Sequence, residues 1–241
     1  MSPRFRRKWP GRLVGRRILR RYGDGRAVVN IIHWLRAFSL IAALSLVVAG
    51  EAPAATRILA LGDSLTAGFG LAPQEAFPVR LQAKLAAAGV EAQVVNGGVS
   101  GDTSAGGLAR LDWALADHPE LVLVELGAND ALRGIDPRLT YANLDKILTR
   151  VKAAGAKVLL LGMRAPPNWG RPYQAQFDAI FPNLATKHHV SLYPFFLDGV
   201  ALDPALNQSD GLHPTAQGAD IIAGRIAPLV VRVLSEKAPQ G

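Results

Sequence analysis

Beyond residue 55 the chain keeps returning to one pattern, a run of four to seven apolar residues followed by a longer amphipathic segment. The apolar runs are "RILALG" (57–62), "AQVVNGG" (92–98), "LVLVELG" (121–127), "AKVLLLGM" (156–163) and "VSLYPFF" (190–196). Between them the apolar residues switch to helical spacing, as at Leu108, Leu111 and Leu115, with Pro119 beyond. The pattern predicts helices near 76–88, closed by Gly89, and over 103–118, 139–155, 173–187 and 215–234. Strands as apolar as "LVLV" are buried on both faces, and strand–helix alternation at this spacing builds a parallel sheet covered by helices on either side.

A parallel sheet of this kind places ligands outside the carboxyl ends of its strands, so the loops after the apolar runs are where chemistry belongs. The first run ends in "LGDSLTAGFG" (61–70), an acid and two hydroxyls entering a turn of small residues. The second ends in "NGGVSGDTSAGG", the third in "GANDALRG", and the fourth feeds "MRAPPNWGRPY" (163–173). Ser64, Gly101, Asn129 and the last of these loops therefore share one sheet edge. Far along the chain, "SDGLHP" sets Asp210 three residues ahead of His213, with Pro214 holding His213 extended. A carboxylate at that spacing can bind the imidazole Nδ1–H, fix the tautomer and leave Nε2 free to take a proton from a hydroxyl. Ser64 read alone is equally a helix N-cap, and Asn129 a turn residue. The distant Asp-x-x-His favours the nucleophile.

Ser64 stands in Gly-Asp-Ser-Leu-Thr and lacks the G-x-S-x-G elbow of the α/β-hydrolases. With the blocks "LGDSLTAGFG", "NGGVSGDTSAGGLARL", "LVLVELGANDALRG" and "SDGLHP" in register, the chain resembles the SGNH (GDSL) hydrolases, in their thioesterase I, arylesterase and lysophospholipase branch. The resemblance covers residues 57–234. It implies a flavodoxin-like three-layer α/β/α sandwich on a five-stranded parallel sheet, and a serine esterase acting on carboxylic esters, with thioesters a second substrate class. It also implies Ser64 as nucleophile, His213 as base, Asp210 as its orienting acid, and Ser64 N–H, Gly101 N–H and the Asn129 amide as oxyanion donors. No cofactor or metal is expected. Asp63, Asp102 and Asp130 read as structural acids. His188 and His189 read as surface residues. The 163–173 loop reads either as a proline-stiffened connection or as the wall for an acyl or aryl group, with Pro166 and Trp169 then the expected contacts. The alternatives are a carbohydrate O-deacetylase on the same triad, and a non-enzymatic module whose glycine-rich turns cradle an anion.

Charge separates the chain into two parts. The net charge of +8 suggests a nucleic-acid or anionic-membrane partner until it is divided. Residues 1–54 hold eleven Arg and Lys against Asp24 and Glu51, a net +9, whereas the remainder holds 16 basic and 17 acidic residues, a net −1. The basicity belongs to the leader, and no nucleic-acid partner is expected. An uncharged run of fourteen residues (37–50) follows the basic stretch, and then Ala52, Pro53 and Ala54. Positive, apolar and small-residue regions in that order predict a secretory signal, with an uncleaved N-terminal anchor as the alternative. The reading is therefore a leader over 1–54 and a hydrolase domain over 55–241, monomeric and periplasmic or secreted. With no cysteine in the chain, that domain stands without disulfides.

Overall fold

The computed structural model describes residues 55–236. The reading of the leader lies outside them.

Five parallel strands form the sheet in the order β2-β1-β3-β4-β5. They are β1 (Thr56–Gly62), β2 (Ala92–Gly98), β3 (Leu121–Glu125), β4 (Lys157–Leu161) and β5 (Ser191–Tyr193). Central β3 is buried along its whole length, as its unbroken apolar reading requires. Every connection is a crossover through helix, and right-handed crossovers put the helices that follow β1 and those that follow β2, β3 and β4 on opposite faces. Helix α1 (Ser64–Ala67) and helix α2 (Phe77–Ala87) follow β1. Helices α3 (Ser104–Ala109) and α4 (Leu111–Ala114) follow β2, and α5 (Ala128–Leu132) and α6 (Pro137–Ala153) follow β3. Then α7 (Arg171–Asp178) and α8 (Ile180–His188) precede β5, and α9 (Ala216–Ser235) returns to pack against α2. On the other face α6 packs against α3 and α8. This is the expected three-layer architecture.

Two expected helices are each broken in two. The segment expected as one helix over 103–118 is interrupted at Arg110, whose guanidinium reaches back to the sheet, donating to Gly62 O at 2.9 Å and to Asp102 Oδ2 at 2.6 Å. The segment expected as one helix over 173–187 restarts at Ile180. Pro182 has no N–H to give to Asp178 O, and the restart places it in a first turn, where none is needed. His188 departs from its expected surface position. It is 8 % exposed, with Nε2 2.6 Å from Asp145 Oδ1, because the last turn of α8 lies on α6. His189, next in sequence, is exposed and left-handed (φ 53°) where the helix ends.

The end of α9 is tied to the start of β4. Lys157 Nζ donates to the carbonyl oxygens of Val233 (3.0 Å) and Leu234 (2.7 Å), where a cation also meets the negative end of the helix dipole.

Candidate active site

The order β2-β1-β3 makes the gap between β1 and β3 the point where successive connections leave in opposite directions, the place at the carboxyl edge where sheets of this kind bind ligands. Ser64 is the first residue of α1, separated from the end of β1 by Asp63 alone. Asp63 caps that helix, its Oδ1 accepting from Leu65 N at 3.0 Å, so the cap is the neighbouring acid and the serine hydroxyl stays free.

Ser64 Oγ lies 2.9 Å from His213 Nε2, and His213 Nδ1 lies 2.6 Å from Asp210 Oδ2. An ionised carboxylate only accepts, so Nδ1 carries the ring proton and Nε2 presents its lone pair to the serine hydroxyl. Asp210 Oδ1 accepts from the N–H groups of His213 (3.0 Å) and Leu212 (2.9 Å). The His213 backbone N–H first, then its ring and the Leu212 N–H, pull the Asp210 carboxyl down to about 2. Its charge is therefore in place throughout the neutral and mildly acid range.

The loop holding the imidazole is stapled to the turn holding the serine. Gln208 Nε2 donates to Phe69 O (2.7 Å) and to Pro214 O (3.0 Å), and the Gln208 N–H donates to His213 O at 2.7 Å. The Phe69 ring tilts over the imidazole with centroids 4.6 Å apart.

Asn129, in the first turn of α5, donates from Nδ2 to Asp63 Oδ2 at 3.0 Å, which places its amide beside the serine turn. Gly101 lies in the loop after β2, anchored by the Val99 N–H on Gly62 O (3.0 Å) and by Arg133 Nη2 on Gly101 O (2.8 Å). Its φ of +83° suits glycine, and the N–H groups of Gly101 and Ser64 have no acceptor among the described residues. Such donors can receive a developing oxyanion.

Trp169 and Pro166 are not among the residues that line the cavity beside Ser64. Trp169 Nε1 donates to Ala131 O at 2.7 Å and its ring covers Gly134, so the 163–173 loop rests on the helix that carries Asn129. Asp102 pairs with Arg110, and Asp130 accepts from Ser104 N (2.8 Å) and Thr140 Oγ1 (3.0 Å). Among the described residues no cluster of His and acidic side chains has the arrangement of a metal site.

Sequence reasoning missed Phe69, Gln208 and Glu125. Phe69 and Gln208 carry no chemical signature of their own. Glu125 did: an acid closing a strand buried on both faces is an anomaly that a purely apolar reading of "LVLVELG" passes over.

Residues 60–221 match the model of the GDSL-like lipase/acylhydrolase family. The chain belongs to that family. This GDSL-like hydrolase is 43% identical over 206 residues to the thioesterase 1/protease 1/lysophospholipase L1 of Escherichia coli (strain K12), covering 83% of this chain and 96% of the relative. It is 41% identical over 201 residues to an arylesterase of Vibrio mimicus, covering 83% and 100%. Among solved structures, the psychrotrophic esterase EstA from Pseudoalteromonas sp., inhibited by monoethylphosphonate, superposes with a TM-score of 0.71 at 34% identity over 75% of this chain and 100% of that one. The GDSL-like chain is thus a hydrolase of ester bonds, and the anion-cradling module is set aside.

Proposed function

We propose that this hydrolase is an exported serine esterase that cleaves acyl esters, and acyl thioesters as a second class, through an acyl-enzyme on Ser64. The observation that carries the reading is the unbroken chain Ser64 Oγ, His213, Asp210 at 2.9 and 2.6 Å. As Oγ attacks the acyl carbonyl, its proton passes to Nε2, and Asp210 stabilises the imidazolium that forms. The tetrahedral oxygen is met by the N–H groups of Ser64 and Gly101 and by Asn129 Nδ2. A single preorganised donor of this kind is worth about 2.7–4 kcal/mol. Collapse expels the alkoxide or thiolate, which takes the Nε2 proton and leaves as the alcohol or thiol. Water, deprotonated by Nε2, then attacks the acyl carbon, Ser64 Oγ leaves and recovers its proton, and the carboxylic acid is released. A fluorophosphonate should label the peptide carrying Ser64 and no other. Labelling elsewhere, or none in protein that hydrolyses nitrophenyl esters, would overturn the assignment.

The acyl chain is proposed to lie along the surface. The cavity beside Ser64 measures about 10 Å³, room for one water, while Phe69, whose ring lies over His213, and Leu212, the residue before His213, stand 51 % and 48 % exposed. Trp169 and Pro166 form the second proposed wall. Trp169→Ala should lower kcat/KM for medium and long acyl esters about tenfold more than for acetate, since a buried methylene is worth about 0.8 kcal/mol. Phe69→Ala should lower the rate on every chain length, acetate included, because its ring also braces the imidazole. A panel of nitrophenyl esters from acetate to decanoate separates the two, and a uniform loss in Trp169→Ala would remove Trp169 from the acyl path.

Export rests on the leader, residues 1–54, and on the near-neutral body that follows it. No helix among the described residues is long and apolar enough to cross a membrane. The mature domain is proposed to act as a monomer on small-molecule substrates.

A further inference from the structure

A side-chain amide offers an oxyanion either a donor or an acceptor, and the two ends have nearly the same shape. Only the NH₂ end stabilises the charge. What keeps that end of Asn129 turned inward must lie behind the amide.

We propose that Asp63 is the positioning residue that sets the Asn129 amide for catalysis, with the buried Glu125 as the neutral group beneath it. The proposal rests on the reading of Asn129 as an oxyanion donor. Asp63 Oδ2 accepts from Asn129 Nδ2 at 3.0 Å, and an ionised carboxylate has nothing to donate. Flipping the amide would bring Asn129 Oδ1 against Oδ2, acceptor against acceptor. The unflipped amide keeps its second Nδ2 hydrogen for the substrate. Asp63 cannot swing away, because it is fully buried and its other oxygen accepts from Leu65 N at 3.0 Å.

Glu125, at the end of β3, is 1 % exposed, and its Oε2 accepts from Thr66 Oγ1 (2.7 Å) and from Asp63 N (3.3 Å). Gly62 makes the space, since a Cβ there would stand 2.6 Å from Oε2. Two carboxyls in one buried site do not both ionise. Burial, then the charge of Asp63, push Glu125 well above its usual range, while its Oε1 has no partner among the described residues. Asp63 therefore carries the one negative charge. Burial raises it to about 6, against the pull of the Leu65 N–H, Asn129, His213 and Glu125. From the α3–α4 junction the Arg110 guanidinium, paired with Asp102, meets the Gly62 carbonyl next door. Once protonated, Asp63 can donate to Asn129 Oδ1 and hold the flipped, inhibitory amide.

The test is a double-mutant cycle of Asp63→Asn and Asn129→Ala, with kcat, KM and the unfolding temperature measured for each. Asparagine keeps the shape and the helix cap of Asp63 but has one acceptor. With that oxygen on Leu65 N, its NH₂ faces Asn129 and selects the flipped amide. Asp63→Asn should then lower kcat by about 10²–10³-fold, the worth of one oxyanion donor, with KM little changed. In the Asn129→Ala background it should cost no more than about twofold further. The acid limb of the kcat/KM profile should differ between the wild type, in which Asp63 titrates, and Asp63→Asn, in which it cannot. Because the folded-state value of Asp63 lies above its unfolded value, stability is lost as pH rises from 3.8 through about 6, and Asp63→Asn should unfold at a higher temperature than the wild type at pH 8. Additive losses in the cycle, an unchanged kcat in Asp63→Asn, or an acid limb left unaltered by Asp63→Asn would overturn the proposal. If Asn129→Ala itself retained full kcat, the oxyanion reading beneath it would fall as well, whatever Asp63→Asn did.

Discussion

Ser64→Ala lowers kcat on nitrophenyl esters by a factor on the order of 10⁶ under the proposed mechanism, and His213→Ala by about as much, because hydroxyl and imidazole act as one unit. The double variant is then no slower than either single one. Its residual rate over water comes from the oxyanion donors and from substrate binding, which neither substitution touches. The fold should be unchanged in all three, since the Ser64 hydroxyl bonds only to His213 and its helix is capped by Asp63. Steady-state rates with circular dichroism as the control check this. A double variant far slower than both singles would separate the two residues into independent functions.

The second large effect concerns the acid behind the imidazole. Asp210→Asn keeps an oxygen for the N–H groups of Leu212 and His213, so the turn survives. What it loses is the acceptor at Nδ1. The new NH₂ group donates there instead, which drives the ring proton to Nε2 and turns an N–H toward Ser64 Oγ. The loss in kcat should be about 10⁴-fold with the hydrogen-bonded turn intact. Since the Asp210 carboxyl sits near 2 in the folded protein against 3.8 for the free group, its contribution to stability is present above pH 3.8 and lost as pH falls through 2. Activity lost between pH 6 and 4 in the wild type therefore belongs to other groups. A profile in which Asp210→Asn removed the acid limb would contradict this.

Much of this was legible in the sequence because the signals were local or periodic. The five apolar runs reported the five strands, and Asp210 and His213 declared themselves by a spacing of three. The helix breaks at Arg110 and before Pro182 were less visible, since both sides of each break keep helical periodicity. A guanidinium binding a carbonyl 48 residues away leaves no local trace. His188 failed for the same reason: a single polar residue in a helical stretch says nothing about the α6 carboxylate that covers it. Glu125 is the instructive omission. Its neighbours correctly reported a buried strand, and the same inference should have asked what a carboxyl was doing at the end of it.

The tie between Lys157 and the end of α9 bears on how the enzyme can be held. Strand β1 begins at Thr56 and runs about 23 Å to the turn that presents Ser64. Helix α9 starts just after His213 and runs back, ending where Lys157 opens β4. Both ends of the described chain thus leave from the rim opposite the catalytic one. A surface, resin or fusion partner joined at either end stands behind the enzyme, leaving the catalytic rim turned toward the solution from which its substrates arrive.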